Sequence, residues 1–328
     1  MNARPLVIAH RGASGWLPEN TLAAKAVAHA VGADFWETDV VVTRDQQLVV
    51  LHDLWLDELT DVRKKFSGRD RPDGLHYVID FTLSELMQLA ITERSRGDIA
   101  ERSGRFPVHK SMFPMHTLDQ EIELLLGMNH STGRQVGLYV ELKDPWFHAD
   151  AGFDIANMVL QLLAEYGLSN RQDLVIIESF DAKELKRIRS ELMPKLGMNL
   201  PLGQLIGYDR WLTCHERDTS GNWQAIKQEW LWSESGLSEI ATYADIVSPA
   251  LPMLVLDGKS AEPLPSKLIK VAHELGLLVH TYTLRADDLP SWALDLDQAH
   301  AWLTSCARVD GVFTDFPDRM VQFLQRTT

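Results

Sequence analysis

The chain is poor in cysteine and in positive charge. Its two cysteines, Cys214 and Cys306, cannot build a disulfide framework, so the fold must rest on a buried core. Lysine and arginine total 32 against 46 aspartates and glutamates, a formal net charge of −14. Nucleic acid needs a basic footprint to meet its phosphates, so it is excluded as the main partner. A small anion held by a few local cations is still allowed. No apolar run nears the roughly 18 residues of a membrane span, and the first ten residues hold no signal-peptide core. The expected location is the cytoplasm as the sequence stands, or the periplasm if a leader has been removed. The Gly-x-x-x-x-Gly-Lys-Ser/Thr loop of nucleotide sites is missing, as is the Gly-x-Ser-x-Gly elbow of α/β-hydrolases. His-x-x-x-His spacing is absent at the ends of the apolar runs, which removes a common zinc pattern. With 45% apolar and 24% charged residues, a disordered or collagen-like chain is also excluded.

What the sequence does have is alternation. Short apolar runs recur at Leu6–Ala9, Phe35–Val42, Leu48–His52, Val136–Leu142, Leu174–Glu178, Pro201–Ile206, Ile246–Ser248, Leu277–Tyr282 and Gly311–Thr314. Each is too short and too evenly apolar for an amphipathic helix and reads as a strand buried on both faces. Helical stretches lie between them. Thr21–Val31 stops at Gly32, Thr117 and Gln120 make a capping box before Ile122–Leu126, and Ala182–Leu192, Leu264–Leu275 and Asp318–Arg326 follow. Such alternation builds a parallel sheet with helical crossovers. Eight or so units point to a TIM (β/α)8 barrel, with an open doubly wound sheet as the alternative. A polar, irregular stretch after His52, with one helix at Thr82–Ala90, reads as an insertion. Tyr208–Tyr243, carrying Trp211, Trp223, Trp230 and Trp232, reads as a long decorated loop with a short helix.

Four clusters could carry chemistry. His10-Arg11-Gly12 falls where the first strand stops, followed by Pro18-Glu19-Asn20-Thr21. A barrel collects its catalytic groups at that rim, and Arg11 offers a fork of donors to a phosphate. The same dipeptide could equally be a solvated strand end. Glu37-Thr38-Asp39 sets two carboxylates on one face of a strand. Unpaired in apolar surroundings they would repel and lose hydration, problems that a hard cation removes. His52 ends a run soon afterwards, giving a second imidazole for acid–base work. Glu141-Leu142-Lys143 again sets i and i+2 on one face, a third carboxylate beside a cation, or else an in-strand ion pair. Oxygen ligands favour Ca²⁺ or Mg²⁺ over Zn²⁺.

Taken in order, His10-Arg11-Gly12, Pro18-Glu19-Asn20-Thr21, Glu37-Thr38-Asp39, Leu51-His52-Asp53 and Glu141-Leu142-Lys143 resemble the glycerophosphodiester phosphodiesterase family, most closely its longer periplasmic bacterial type. Val78–Leu86, Gly104–Lys110, Pro145–His148, Ser179–Arg187 and Phe313–Pro317 are similar to that type too. The resemblance spans nearly the whole chain. It implies a single TIM-barrel domain over residues 1–328, with a small inserted subdomain at about 54–116 after the second strand. It implies metal-dependent hydrolysis of a small glycerophosphodiester, such as glycerophosphocholine, to sn-glycerol 3-phosphate and an alcohol. His10 and His52 would act as general base and general acid. Glu37, Asp39 and Glu141 would bind the divalent metal, Ca²⁺ first and Mg²⁺ as the alternative. Arg11 and Lys143 would contact the phosphate, and Glu19 would belong to the site. Tyr282 stands where the family commonly has a Trp lining the glycerol pocket. Two other readings compete: a phospholipase-type phosphodiesterase on the same barrel, and a non-catalytic phosphodiester-binding protein. Head-group tolerance is expected to be broad, because no cage for one alcohol is legible near the motifs.

Overall fold

The computed structural model describes residues 4–97, 99–110, 113–256 and 263–327. Eight parallel strands close into a barrel: β1 Leu6–Ala9, β2 Phe35–Val42, β3 Gly137–Leu142, β4 Val175–Ser179, β5 Leu202–Ile206, β6 Ile246–Pro249, β7 Leu278–Leu284 and β8 Gly311–Thr314. Each pairs with its neighbour in sequence, and β8 returns to pair with β1. The open-sheet alternative is thereby removed. Outside the barrel stand α1 Leu22–Val31, α2 Leu118–Thr132, α3 Ile155–Glu165, α4 Ala182–Arg187, α5 Glu234–Ile240, α6 Lys267–Glu274, α7 Leu296–Ala301 and α8 Pro317–Thr327. Among the described residues no helix is long and apolar enough to cross a membrane. Cys214 is buried, Cys306 is exposed, and both are free.

The ends of the helices follow their local chemistry. The Thr21 side chain accepts from the Ala24 N–H, and Gly32 closes α1 in the left-handed conformation at φ 91°. Thr117 and Gln120 form the reciprocal capping box that opens α2. Along β2 the two-residue period turns Phe35, Glu37 and Asp39 inward while Trp36 joins the outer core under the helices. Ile8, Phe35, Tyr139, Ile176, Ile246 and Phe313 fill the barrel floor. Parallel register then sets Asp39 opposite Glu141, and Glu141 opposite Glu178, one layer above that floor.

Several expected elements come out differently. Leu48–His52 is not a barrel strand: Leu48–Val50 folds back antiparallel on β2, and His52 lies in the turn beyond it. Gln46, with φ 61°, makes the reversal. The helix expected over Thr82–Ala90 keeps its capping box but ends after Leu86, and Ala90–Ile91 pairs with Phe113–Pro114 instead. The long helix expected over Ala182–Leu192 widens into a π turn at Ile188–Leu192 and then runs on through Met193–Leu196. Within Tyr208–Tyr243 a hairpin pairs His215–Arg217 with Trp223–Ala225 ahead of α5. The stretch after β2 gathers a separate apolar cluster, with Leu51, Leu56, Phe81, Leu86, Ile91 and Met115 among its members.

A chain of buried charges braces β2 from behind. Lys25 on α1 is fully buried and donates to the Glu37 backbone carbonyl. Its ammonium lies 3.2 Å from Glu121 on α2, and Glu121 takes a 2.8 Å contact from His116. Removing one member leaves a buried charge without its partner, so Lys25→Met is expected to cost about 3–5 kcal/mol of stability. The double variant Lys25→Met/Glu121→Leu should lose less than the single one. Urea titrations measure both, and simple additivity would contradict the pairing.

Acid should loosen the fold through a second set of groups. His148, His280 and His300 are buried, and burial lowers each imidazole to about 4. Among the described residues neither ring nitrogen of His148 or His300 has a hydrogen-bond partner. In the unfolded chain these rings titrate near ~6.5. Between about pH 6.5 and 4 the unfolded state therefore binds more protons, and stability falls as pH drops through that window. The expected loss is on the order of a few kcal/mol for each ring by about pH 4. Melting temperatures that stay flat from pH 7 to pH 4.5 would contradict it.

Candidate active site

The C-terminal rim of the barrel brings the separate sequence clusters together. At the end of β1 the chain turns sharply, with Arg11 at φ 57° and Gly12 at φ 84°. A Cβ on residue 12 would lie 2.7 Å from the Ala24 carbonyl carbon, so only glycine fits. The turn aims the Arg11 backbone N–H at Glu37 Oε2, 2.7 Å away. The Arg11 guanidinium reaches Glu19 at 2.7 Å and Asp39 at 3.3 Å. Asn20, held at φ 53°, donates its amide to Asp39 Oδ2 at 2.8 Å.

Glu37, Asp39 and Glu141 are all buried, and each offers an oxygen within 4.8 Å of the others. Their charges are unequally supported. Burial, then the nearby Asp39, pushes Glu37 well above the usual carboxyl range. Asp39 is held well below it, because Arg11, His52, Lys143 and Asn20 outweigh its own burial. Burial raises Glu141 to about 7 despite Lys143 beside it. The Lys143 ammonium lies 2.7 Å from Glu141 and 3.6 Å from Asp39, the ion pair that the i, i+2 spacing allowed. Asp39 Oδ1 is buried without a hydrogen bond among the described residues. Three hard oxygen donors, one of them unsatisfied, fit a hard divalent cation. A fourth carboxyl, Glu178 on β4, is 1% exposed, with Oε2 unpartnered among the described residues. Burial and the charges of Glu141, Glu37 and Asp39 hold it well above its ordinary pKa.

The two imidazoles are each oriented by a carboxylate. His10 Nδ1 lies 2.7 Å from Asp315 Oδ1, and His52 Nδ1 lies 2.5 Å from Asp53 Oδ1. Nε2 of each ring is left without a protein partner among the described residues, the arrangement expected of a proton-transfer pair. Burial, with Arg11 next, lowers His10 to about 4. Burial followed by Arg11 and Lys143 also lowers His52. Both rings are therefore neutral near pH 7 before substrate arrives. Arg94 ties the outer side together, reaching Asp53 at 2.6 Å, Glu19 at 2.8 Å and Glu58 at 3.0 Å.

His10, Arg11, His52, Glu37, Glu141 and Lys143 line one cavity of about 540 Å³. Trp146, Phe147, Phe180, Trp211 and Tyr282 form its aromatic wall. The Tyr282 hydroxyl donates to the Ile206 carbonyl at 2.8 Å, so its polar tip is already engaged. Glu19 stands apart from that cavity and lines a smaller one of about 220 Å³, which shares His10, Arg11 and His52. All nine residues singled out from the sequence thus meet at one rim. Asp315, Arg94, Glu178 and Asn20 had no assigned part. Glu178 ends an apolar run as Glu141 does, a signal that could have found it. Arg94 sits in the irregular stretch, where no periodicity could place it.

Comparison with known proteins adds an independent finding. The sequence profile of the glycerophosphoryl diester phosphodiesterase family matches residues 10–319. A glycerophosphodiester phosphodiesterase of Haemophilus influenzae is 44% identical, the match covering 99% of this chain and 91% of that relative. One from Treponema pallidum is 39% identical over 97% of this chain and 91% of its own length. Among solved structures, an Oleispira antarctica phosphodiesterase in complex with the product sn-glycerol-3-phosphate aligns with TM-score 0.63 at 19% identity, covering 98% of this chain and 97% of that one. A glycerophosphodiester phosphodiesterase from Agrobacterium tumefaciens aligns with TM-score 0.61 at 20% identity, covering 97% and 99%.

Proposed function

Since the chain belongs to the glycerophosphoryl diester phosphodiesterase family, we propose that it hydrolyses glycerophosphodiesters such as glycerophosphocholine to sn-glycerol 3-phosphate and an alcohol, using His10 and His52 as its acid–base pair. The observation that carries this reading is the convergence of two carboxylate-oriented imidazoles and three carboxylates on one cavity. The whole chain acts as one catalytic unit, and residues 54–116 form a subdomain inserted into it.

A phosphodiester resists attack because its negative charge repels nucleophiles and its leaving alkoxide is a strong base. Glu37, Asp39 and Glu141 would hold a divalent cation, Ca²⁺ in preference to Mg²⁺, which would supply polarisation of a phosphoryl oxygen and charge to offset the transition state. Arg11 lies at the junction of the two cavities and orients the phosphate with its guanidinium. Lys143 contributes a point charge from the triad side. One neutral imidazole takes the proton of the attacking hydroxyl through Nε2 as the new P–O bond forms. The other takes up a proton on Nε2 as the anionic phosphate binds, and delivers it to the departing alcohol oxygen as the old P–O bond breaks. The attacking hydroxyl belongs to water or to the glycerol 2-position; the second route gives a cyclic phosphate that water opens. Asp315 and Asp53 fix the tautomers by accepting from Nδ1. Tyr282 and its aromatic neighbours shelter the glycerol arm.

The experiment is turnover by the metal-loaded protein of glycerophosphocholine, beside sphingomyelin and phosphatidylinositol vesicles. Release of glycerol phosphate from the soluble diester alone is expected. Preference for either vesicle would favour the phospholipase reading, and binding without turnover would favour a capture protein.

A further inference from the structure

The smaller cavity, of about 220 Å³, shares His10, Arg11 and His52 with the larger one and has none of the acidic triad in its lining. It is roofed by the irregular segment after β2. Arg102 bonds Asp288 at 2.9 Å, and Arg105 bonds Asp287 at 2.6 Å, both on the loop after β7. Nearly every charge on its wall is spoken for. Glu19 is held by Arg11 and Arg94, and Asp315 by His10, Arg105 and Arg285. Glu93 is the exception. It is only 4% exposed, yet its Oε2 is buried without a hydrogen-bond partner among the described residues. Burial, with Glu19 adding to it, raises its carboxyl to about 8. A buried carboxyl without a partner carries a free-energy cost that an arriving donor would relieve.

A diester gripped at His10, Arg11 and His52 has one arm on each side of phosphorus. The aromatic cavity holding Tyr282 takes glycerol, so the alcohol arm enters the polar chamber. We infer that this chamber is a subsite for alcohol arms bearing an N–H or O–H donor, and that Glu93 is the residue that reads the donor. This rests on the phosphodiesterase reading above and names a preference within it. An ethanolamine ammonium or a glycerol hydroxyl can donate to Glu93. A choline trimethylammonium has no such hydrogen, and it is recognised best by aromatic faces. Among the described residues no Phe, Tyr or Trp lines this chamber. The expected broad tolerance is thus graded rather than flat.

The test compares kcat/KM for glycerophosphoethanolamine and glycerophosphocholine, using the full-length metal-loaded protein and its Glu93→Gln and Glu93→Asp variants. Glu93→Gln is near-isosteric and removes the negative charge that an ammonium would meet, leaving a weaker amide acceptor. The ethanolamine-to-choline ratio is expected to fall at least about tenfold, the scale of one hydrogen bond to a charged group. The loss should sit in KM, and Glu93→Asp should retain part of the preference. A ratio within about twofold of the unaltered protein's in Glu93→Gln would overturn the inference while leaving the phosphodiesterase reading intact. An unaltered protein inert on both compounds would overturn that reading and this one with it.

Discussion

His10→Ala and His52→Ala are each expected to lower kcat on glycerophosphocholine by roughly 10²–10⁴-fold, the usual worth of a positioned acid or base. The rings end in the same cavity, and each is aligned through Nδ1 by its own carboxylate. Because both act in one proton-transfer sequence, the double variant should lose little more than the worse single one. Circular dichroism should remain unchanged, since both side chains lie at the rim rather than in the barrel floor. Asp53→Asn and Asp315→Asn should lose less, because they disturb only tautomer and orientation. Near-full activity in either alanine variant would remove that ring from the acid–base pair.

Chelation is expected to abolish turnover, with Ca²⁺ restoring it and Mg²⁺ restoring it more weakly. The triad offers three carboxylates from two strands, with Lys143 already bound to one of them. Backbone or water oxygens must complete such a shell, and Ca²⁺ accepts an irregular set where Mg²⁺ demands a near-octahedral one. Glu37→Gln and Asp39→Asn should weaken metal affinity and activity together. Ca²⁺ at about a hundred times its Kd should stabilise the fold by about 2.7 kcal/mol, because it relieves three facing carboxylates. A melting temperature indifferent to Ca²⁺, with full activity after exhaustive dialysis against chelator, would contradict the site.

The barrel was legible because its strands are short, apolar on both faces and evenly spaced. The apolar run Phe35–Val42 coincides with β2, and the i, i+2 rule turns Glu37 and Asp39 to one side. The hairpin strand Leu48–Val50 looks like a barrel strand in sequence because an apolar run carries no sign of its direction. Helix bounds failed where tertiary pairing overrode propensity, as at Ala90–Ile91. The site was legible as motifs but not as a network. Asp315 and His10 are 305 residues apart, and nothing local to either sequence announces their contact. The pairing of Arg94 with Glu19 and Asp53, and the isolation of Glu93, exist only once the irregular segment folds over the rim.

Phosphorus NMR follows glycerophosphocholine incubated with the Ca²⁺-loaded protein, and then with the chelated protein. The diester signal is expected to give way to that of sn-glycerol 3-phosphate with Ca²⁺ and to persist without it. A diester that survives in both samples, one consumed equally in both, or phosphocholine as the monoester product would contradict it.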